Sequence, residues 1–443
     1  MSQTSMDATS QFVKTERRRF RIANISLYNV FAAIAFLLFF EPTLFVYRLP
    51  KLSVLYGYAR LAMSVTIILV YALHRLSRRT WPGLPFIITL SYQMILLYTT
   101  YRNGGHVAAA RNYMVTYPAL VALCEMLLEK SVRRFVNIIT PIINMMIYLN
   151  FLTVLLYPGG MYETTVSITH TGLVSYVNHY KTNWLLGYDN TFVVYMLPAM
   201  LMSLVRYHLG GGRHGGFIKV VALFVVCILT TLIGWQAGTL VCITVFCVAC
   251  AVVLINRQKG QERLSCIINS WNAVIANIVF FVGIVIYQMQ FLFQGFIEKV
   301  LHKNLTFSTR TSIWANSFLA IAKSPLFGYG IEDVSATVSK LSLNSTHNHY
   351  LWIVYMGGAC LFTAFALLLV LIAVRLYKYR KHSLIIIAAA SLFCILLMWQ
   401  MEAIYTYSLF TYLSFLYYLP YYLREERPGG HRKLKIRFFR RRT

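Results

Sequence analysis

"THNHYLWIVYMGG", residues 346–358, sets two histidines and an asparagine against the start of an apolar run that continues to about residue 374. Crossing a bilayer takes roughly 20 apolar residues, so the run reads as a membrane helix. The polar groups ahead of it then lie at the boundary between water and lipid. Two readings stay open on this stretch alone. His347 and Asn348 cap the helix start, or they place titratable chemistry where a membrane-borne substrate presents its headgroup.

The rest of the chain repeats the apolar pattern. Candidate spans fall near residues 22–40, 54–73, 83–100, 112–128, 135–157, 190–206, 217–234, 238–256, 268–287, 350–374, 383–400 and 408–423. With 58% hydrophobic residues, 12% charged residues and a mean hydropathy of +0.60, a soluble domain is excluded. The expectation is an all-α polytopic membrane protein of about 12 transmembrane helices, with residues 1–443 forming a single integral domain. The first apolar run lacks a small-residue cleavage site and leads into "EPTLFVYRLP", so it is expected to stay as an anchor.

A net charge of +27 invites a nucleic-acid partner, but that requires the basic residues on one folded face. Here they punctuate the apolar runs. Lys14, Arg17, Arg18, Arg19 and Arg21 precede the first span, alternate loops after it are again basic, and the tail 424–443 is strongly so. Basic loops stay cytoplasmic, which puts both termini inside and assigns most of the charge to topology and contact with anionic lipid. No nucleic-acid partner is expected. The eight cysteines lie in or beside apolar runs, so no disulfide framework is expected. "LGGGRHGG" (209–216) lacks the ending of a phosphate loop and reads as a turn.

On this topology two extracytoplasmic loops are long, 158–189 and 288–349, and long loops in compact proteins tend to be functional or disordered. The first holds His170, His179, Lys181 and Asp189 among aromatics and glycines, a composition suited to sugars. The second reads as two short amphipathic helices. One covers 293–304 with Glu298, Lys299, His302 and Lys303; the other covers 311–323, with Ser308 or Thr309 as its cap and Arg310 at the break between them. "SPLFGYGIED" (324–333) then turns the chain through Pro325, Gly328 and Gly330. Tyr350 and Trp352 suit an interfacial aromatic belt. Within the spans, Arg60 and Glu125 are ionisable groups that cost a few kcal/mol unless paired or hydrated. They are expected to pair with each other as scaffold, or to line a lipid groove.

Arg310 followed by "TSIWANSFLAIAKSPLFGYG", then "HNHYLWIVYMGG" with ten residues between His347 and Gly358, resembles the bacterial O-antigen ligase and O-antigen or capsular polysaccharide polymerase superfamily. "WLLGYDNTFVVYMLP" (184–198) is similar to the polymerase members. The resemblance implies a membrane glycosyltransferase that joins undecaprenyl-pyrophosphate-linked oligosaccharide repeat units at the outer face of the bacterial cytoplasmic membrane. Its implied partners are the lipid-linked oligosaccharide, membrane lipid, and a flippase and chain-length regulator. Ligases of this superfamily often carry a Ser-Arg pair at the outer turn before the eighth span, where this chain has "GWQAGTL" (234–240). The missing arginine favours a polymerase and leaves the second cation to Lys181, Arg102 or Arg111.

For such a transfer Arg310 suits the departing pyrophosphate, because a guanidinium stays charged and forks onto phosphate oxygens. His347 suits the acceptor's proton, because imidazole accepts a proton near neutral pH, or it binds the pyrophosphate as a cation. Substrate-binding candidates are Asn348, His349, Lys303, His302, Lys181, Trp314 and Tyr350. No cofactor is expected, since Glu332, Asp333 and His347 make no compact metal-ligand cluster in sequence. The alternatives are a ligase to another acceptor, or a flippase or transporter. A transporter would be expected to show internal repeats and broken helices at mid-membrane, and no convincing repeat is visible.

Overall fold

The computed structural model describes residues 27–166, 179–210, 214–234, 237–256, 258–289 and 310–425. Each of the twelve expected spans coincides with a helix. In chain order these are α1 (Leu27–Phe39), α3 (Pro50–Arg78), α4 (Leu84–Arg102), α5 (Val107–Leu128), α6 (Val132–Leu156), α7 (Val193–Leu209), α8 (His214–Ile233), α9 (Ala237–Ile255), α11 (Ser270–Phe280, continued by a π-helical turn Phe281–Ile286), α14 (His349–Lys378), α15 (Ser383–Met398) and α16 (Tyr407–Glu425). Among the described residues, seven helices are long and apolar enough to cross a membrane, and α1 and α15 are shorter apolar helices. Four further helices among the described residues lie between spans: α2 (Thr43–Arg48), α10 (Gln258–Ile267), α12 (Arg310–Lys323) and α13 (Val334–Leu341).

Burial sorts these helices by position. Helix α1 buries Ala32, Ala35, Phe36 and Phe39, a stripe at helical spacing, and sets Phe36 edge-on to Phe135 of α6 at 5.9 Å. Helix α3 buries only Ser64, Ile67, Tyr71 and Arg75 and so lies at the periphery. In α7 and α15 nearly every residue is buried, which makes them the centre of the bundle. Side-chain contacts gather at two ends. At one end Arg75 pairs with Glu125 and, at 2.9 Å, with Glu129, while Lys381 meets Glu262 at 3.0 Å. At the other end Glu41 pairs with Arg60 at 2.9 Å and His106 with Asp333 at 2.6 Å. The expected pairing of Arg60 with Glu125 is thereby corrected. Fifteen residues of α3 separate Arg60 from Arg75, about 22 Å of helix, and Glu125 lies at the Arg75 end, where Tyr71 also donates to it at 2.6 Å and the Gly83 amide at 2.7 Å.

One departure from the sequence expectation occurs in the long connections. Residues 158–189 contain a three-stranded antiparallel sheet, β1 (Tyr162–Val166), β2 (His179–Trp184) and β3 (Gly187–Tyr188), in a chain expected to be all-α. It is anchored by Trp184 Nε1 donating to Tyr157 O at 2.8 Å and by the Leu186 amide donating to Asn150 Oδ1 at 3.0 Å. Arg310 opens α12, and the break expected beside it lies outside the described residues. The helix expected over 293–304, the caps Ser308 and Thr309, His170, and the site candidates His302 and Lys303 lie outside the described residues, as does the side chain of Lys181.

The feature that positions the site is a break in α14. Gly358 adopts φ 61°, ψ −159°, a region essentially restricted to glycine, and interrupts the helix inside the opening motif. In an unbroken helix Ala359 N and Cys360 N would bond to Tyr355 O and Met356 O. Instead the 325–330 segment is laid into the gap. Ala359 N donates to Pro325 O at 2.8 Å and Cys360 N to Leu326 O at 3.2 Å, while Tyr355 O accepts from Tyr329 N at 2.9 Å and Met356 O from Gly330 N at 2.7 Å. The four backbone groups freed by the break are all satisfied, as membrane depth requires. A Cβ on Gly358 would collide with the Leu326 carbonyl, and one on Gly328 with the backbone of residues 355–357.

Gly358→Ala is therefore expected to cost about 3 kcal/mol or more in stability. Gly57→Ala, where an added Cβ meets nothing, is expected to be neutral or to gain up to about 1 kcal/mol. Unfolding of the two variants in detergent measures the contrast, and a Gly358→Ala protein as stable as wild type would refute the inserted-segment description.

Candidate functional site

Glu402 lies in the short connection between α15 and α16 and is 2% exposed. Its Oε1 accepts from Arg310 Nη2 at 2.7 Å and from Asn190 Nδ2 at 2.8 Å. Its Oε2 lies 3.2 Å from His347 Nδ1 and 3.5 Å from the Tyr188 hydroxyl. The two residues expected to carry chemistry, Arg310 and His347, thus meet through a carboxylate that sequence reasoning did not select. A nearly dry carboxylate needs such partners, since an isolated buried charge is costly.

The local folding explains each position. Arg310 enters from the first turn of α12. Asn190 is held in a 3-10 turn (Asp189–Phe192) that follows β3. His347 takes the left-handed conformation, φ 45°, uncommon for a residue with a side chain though histidine tolerates it better than most. That twist turns its ring away from the helix it precedes and toward Glu402. With Nδ1 occupied by the carboxylate, Nε2 is the ring nitrogen that points away from it. A carboxylate behind an imidazole fixes the ring's tautomer and orientation.

The capping role falls to Asn348. Its Oδ1 accepts from Leu351 N at 3.0 Å and its Nδ2 donates to Gln400 O at 2.9 Å, at full burial. His349 is also buried, with its ring stacked on Trp399 at 4.8 Å and its amide on Trp399 O at 2.8 Å. Tyr350 donates to Asn277 Oδ1 at 2.9 Å and Leu396 O at 3.1 Å. Trp314 is 1% exposed and packs with Val285 and Leu351. Substrate contact was expected of Asn348, His349, Tyr350 and Trp314; the structure holds all four in contacts within the bundle, and leaves His349 Nδ1 and Trp314 Nε1 buried without a hydrogen-bond partner among the described residues. Gln400 completes this framework by donating to Asn277 O at 3.0 Å, which ties α11 to the start of α14 and the end of α15.

The remaining candidates for the second cation disperse. Arg102 covers the Phe327 ring at 5.6 Å, and Arg111 lines an apolar groove with Met94, Leu97, Tyr98, Tyr101 and Met114. Glu332 is held by Lys340 and by the Tyr355 hydroxyl, both at 2.5 Å, and Asp333 by His106. These contacts place neither carboxylate beside His347.

Glu402→Gln keeps the shape but removes the charge opposite Arg310 and His347. It is expected to destabilise the protein by about 1–3 kcal/mol, whereas Glu129→Gln, a partly exposed partner of Arg75, should change stability by less than about 1 kcal/mol. Equal melting temperatures for Glu402→Gln and wild type would show that the carboxylate does not hold the cluster.

Residues 215–366 match the family described as O-antigen ligase. Neither the curated proteins nor the solved structures gave a match. The matched segment runs from α8 past the Gly358 break and contains Arg310, the inserted 325–330 segment and His347, while Glu402 lies beyond it. Through that segment, this polytopic helical membrane protein is similar to the O-antigen ligase family.

Proposed function

We propose that the protein is a polysaccharide polymerase that joins undecaprenyl-pyrophosphate-linked oligosaccharide repeat units at the outer face of the bacterial cytoplasmic membrane. The observation that carries the proposal is the Arg310–Glu402–His347 cluster at one end of a membrane bundle, within and beside the segment that matches the O-antigen ligase family. A lipid-linked pyrophosphate presents its charge at that depth. In the orientation proposed, both termini and the basic tail 424–443 are cytoplasmic, and segments 158–189 and 288–349 are extracytoplasmic. A flippase that delivers the substrate and a chain-length regulator are the further partners of this reading.

The donor's anomeric carbon is already activated by pyrophosphate. An acceptor hydroxyl oxygen forms the new bond to that carbon, and the carbon–oxygen bond to pyrophosphate breaks with its electron pair on the leaving group. The leaving group gains one negative charge, which Arg310 meets as a forked donor. The acceptor's proton passes to His347 Nε2, with Glu402 stabilising the imidazolium behind it. Arg310 and His347 share one carboxylate. A pyrophosphate that draws Arg310 away therefore leaves Glu402 committed to His347, so donor binding prepares the base.

A ligase that passes the glycan to a different acceptor uses the same chemistry, and the family description favours it as the second reading. Purified protein given defined lipid-linked repeat units in detergent, without nucleotide, separates them. A ladder of lengthening chains is the polymerase result, and unchanged substrate from folded protein would overturn the proposal. Arg310→Lys is expected to lose most of this activity despite keeping the charge, because ammonium cannot fork onto two oxygens. His347→Asn is expected to slow polymerisation about 100- to 10,000-fold in a protein that still folds, since Asn348 and not His347 caps α14. A His347→Asn protein that polymerises normally would remove the histidine from the chemistry.

Orientation has its own test. In a background carrying Cys266→Ser, cysteines placed at the exposed positions Glu163 and Ser339 should react with an impermeant reagent in intact cells, and one at Lys381 should not. Labelling confined to position 381 would invert the topology and put the cluster on the wrong face.

A further inference from the structure

Helix α14 starts beside Glu402 and finishes at Lys378, at the other end of the bundle. There a cavity of about 460 Å³ opens between α10, the start of α11 and the end of α14. Sites for small ligands span about 300–1,000 Å³, so it is large enough to hold one. Cys266, Asn269, Trp271, Asn272, Tyr377 and Arg380 line it. Its walls are fixed from within. Ser270 Oγ donates to Ala373 O at 2.7 Å, and Asn269 caps α11 through its Oδ1, which accepts from Asn272 N at 3.0 Å. The side-chain amides are engaged as well, Asn269 Nδ2 with Cys266 O at 3.1 Å and Asn272 Nδ2 with Ile267 O at 2.9 Å.

Two donors are left over. Arg380 meets no carboxylate among the described residues; its guanidinium covers the Tyr377 ring at 4.2 Å, and its Nη1 reaches the carbonyl of that residue only at 3.5 Å. The adjacent Lys381, by contrast, is neutralised by Glu262 at 3.0 Å. The indole of Trp271 has no hydrogen-bond partner among the described residues. Arg263 is exposed one turn before Cys266 on the same face of α10, so the mouth of the cavity is positive. From it, two stripes of exposed apolar side chains run toward the middle of the membrane at helical spacing. Ile275 and Ile278 continue from Trp271 along α11, and Val374, Val370 and Leu367 continue from Tyr377 along α14. A ligand that fits carries an anion at the depth of Arg380 and hydrocarbon beyond it.

We propose that this cavity binds the headgroup of an anionic phospholipid from the leaflet at this end of the bundle. Arg380 and Trp271 Nε1 take the phosphate, and the acyl chains lie along the two stripes. A guanidinium forks onto phosphate oxygens, tryptophan and tyrosine sit at headgroup level, and basic pockets between membrane helices hold anionic headgroups. A free phosphate would leave the stripes unused. A zwitterionic lipid would set its ammonium against Arg380 and Arg263, so the positive mouth selects an anionic one. The site stands at the opposite end of the bundle from Arg310 and His347 and does not depend on what those residues act upon.

Cys266 supplies the readout, because it lines the cavity and is the exposed one of the eight cysteines. Purified full-length protein is reacted with a maleimide in mixed micelles of detergent with phosphatidylglycerol, phosphatidylcholine or inorganic phosphate, and modification of Cys266 is timed. Phosphatidylglycerol is expected to slow it several-fold, and the other two to leave it nearly unchanged. Arg380→Gln is expected to raise the phosphatidylglycerol concentration for half-protection about 10-fold, and Trp271→Phe about 3-fold. Arg78→Gln, which removes the same charge at the same end of the bundle from α3, is expected to change it by less than about 2-fold. Equal protection by the two lipids would mean contact with acyl chains alone, and equal losses for Arg380→Gln and Arg78→Gln would mean diffuse attraction. Either result overturns the site, as do protection by inorganic phosphate and wild-type protein that phosphatidylglycerol fails to protect. Should Arg380→Gln not fold, Trp271→Phe carries the same comparison against Arg78→Gln.

Discussion

Glu402 brings one carboxylate, almost wholly out of water, against a guanidinium, an imidazole and an amide drawn from three other parts of the chain. Burying a carboxylate is tolerable only when its oxygens are matched by donors of good geometry, so the α15–α16 connection, the start of α12, the segment leading into α14 and the turn after β3 are bound to one another through it. The same carboxylate that closes this end of the bundle also orients the groups proposed to react. Structure and chemistry share a single charge, and neither can be altered there without the other.

That arrangement works because His347 is fixed from behind. Asn348 caps α14, His349 stacks on Trp399, and Gln400 links Asn277 to Asn348. Eleven residues after His347 the helix is broken at Gly358 and the 325–330 segment fills the gap with four backbone hydrogen bonds. The segment follows α12 directly, so the break ties the helix that begins with Arg310 to the helix that His347 precedes. The histidine, the glycine and the proline–glycine turn of the sequence motif are parts of one mechanical unit whose product is the distance between a guanidinium and an imidazole.

The spans were legible because hydropathy alone marks a membrane helix, and the pairing of Arg310 with the histidine motif was legible through the family resemblance. Glu402 was not, since a lone acidic residue in a short connection carries no spacing to read. The available signal was its rarity: with only 14 acidic residues in 443, one at the end of a span facing the His-Asn-His stretch merited selection. Arg60 was assigned the wrong partner because sequence gives depth along a helix poorly, and a 22 Å error along α3 exchanges one end of the bundle for the other. The contacts of Asn348, His349 and Tyr350 with neighbouring helices were not legible, because a polar run at a helix start looks alike whether its side chains face a substrate or a neighbouring helix. The small sheet escaped notice because its strands are short and partly polar.

The central claim is that Glu402 acts through His347. A double-mutant cycle on the initial polymerisation rate tests it most directly, comparing Glu402→Gln, His347→Asn and the combined variant at matched stability. If the carboxylate serves the imidazole, removing it from a protein that already lacks the imidazole costs nothing further, and the double variant runs at about the His347→Asn rate. Losses that multiply would show two independent contributions and contradict the account.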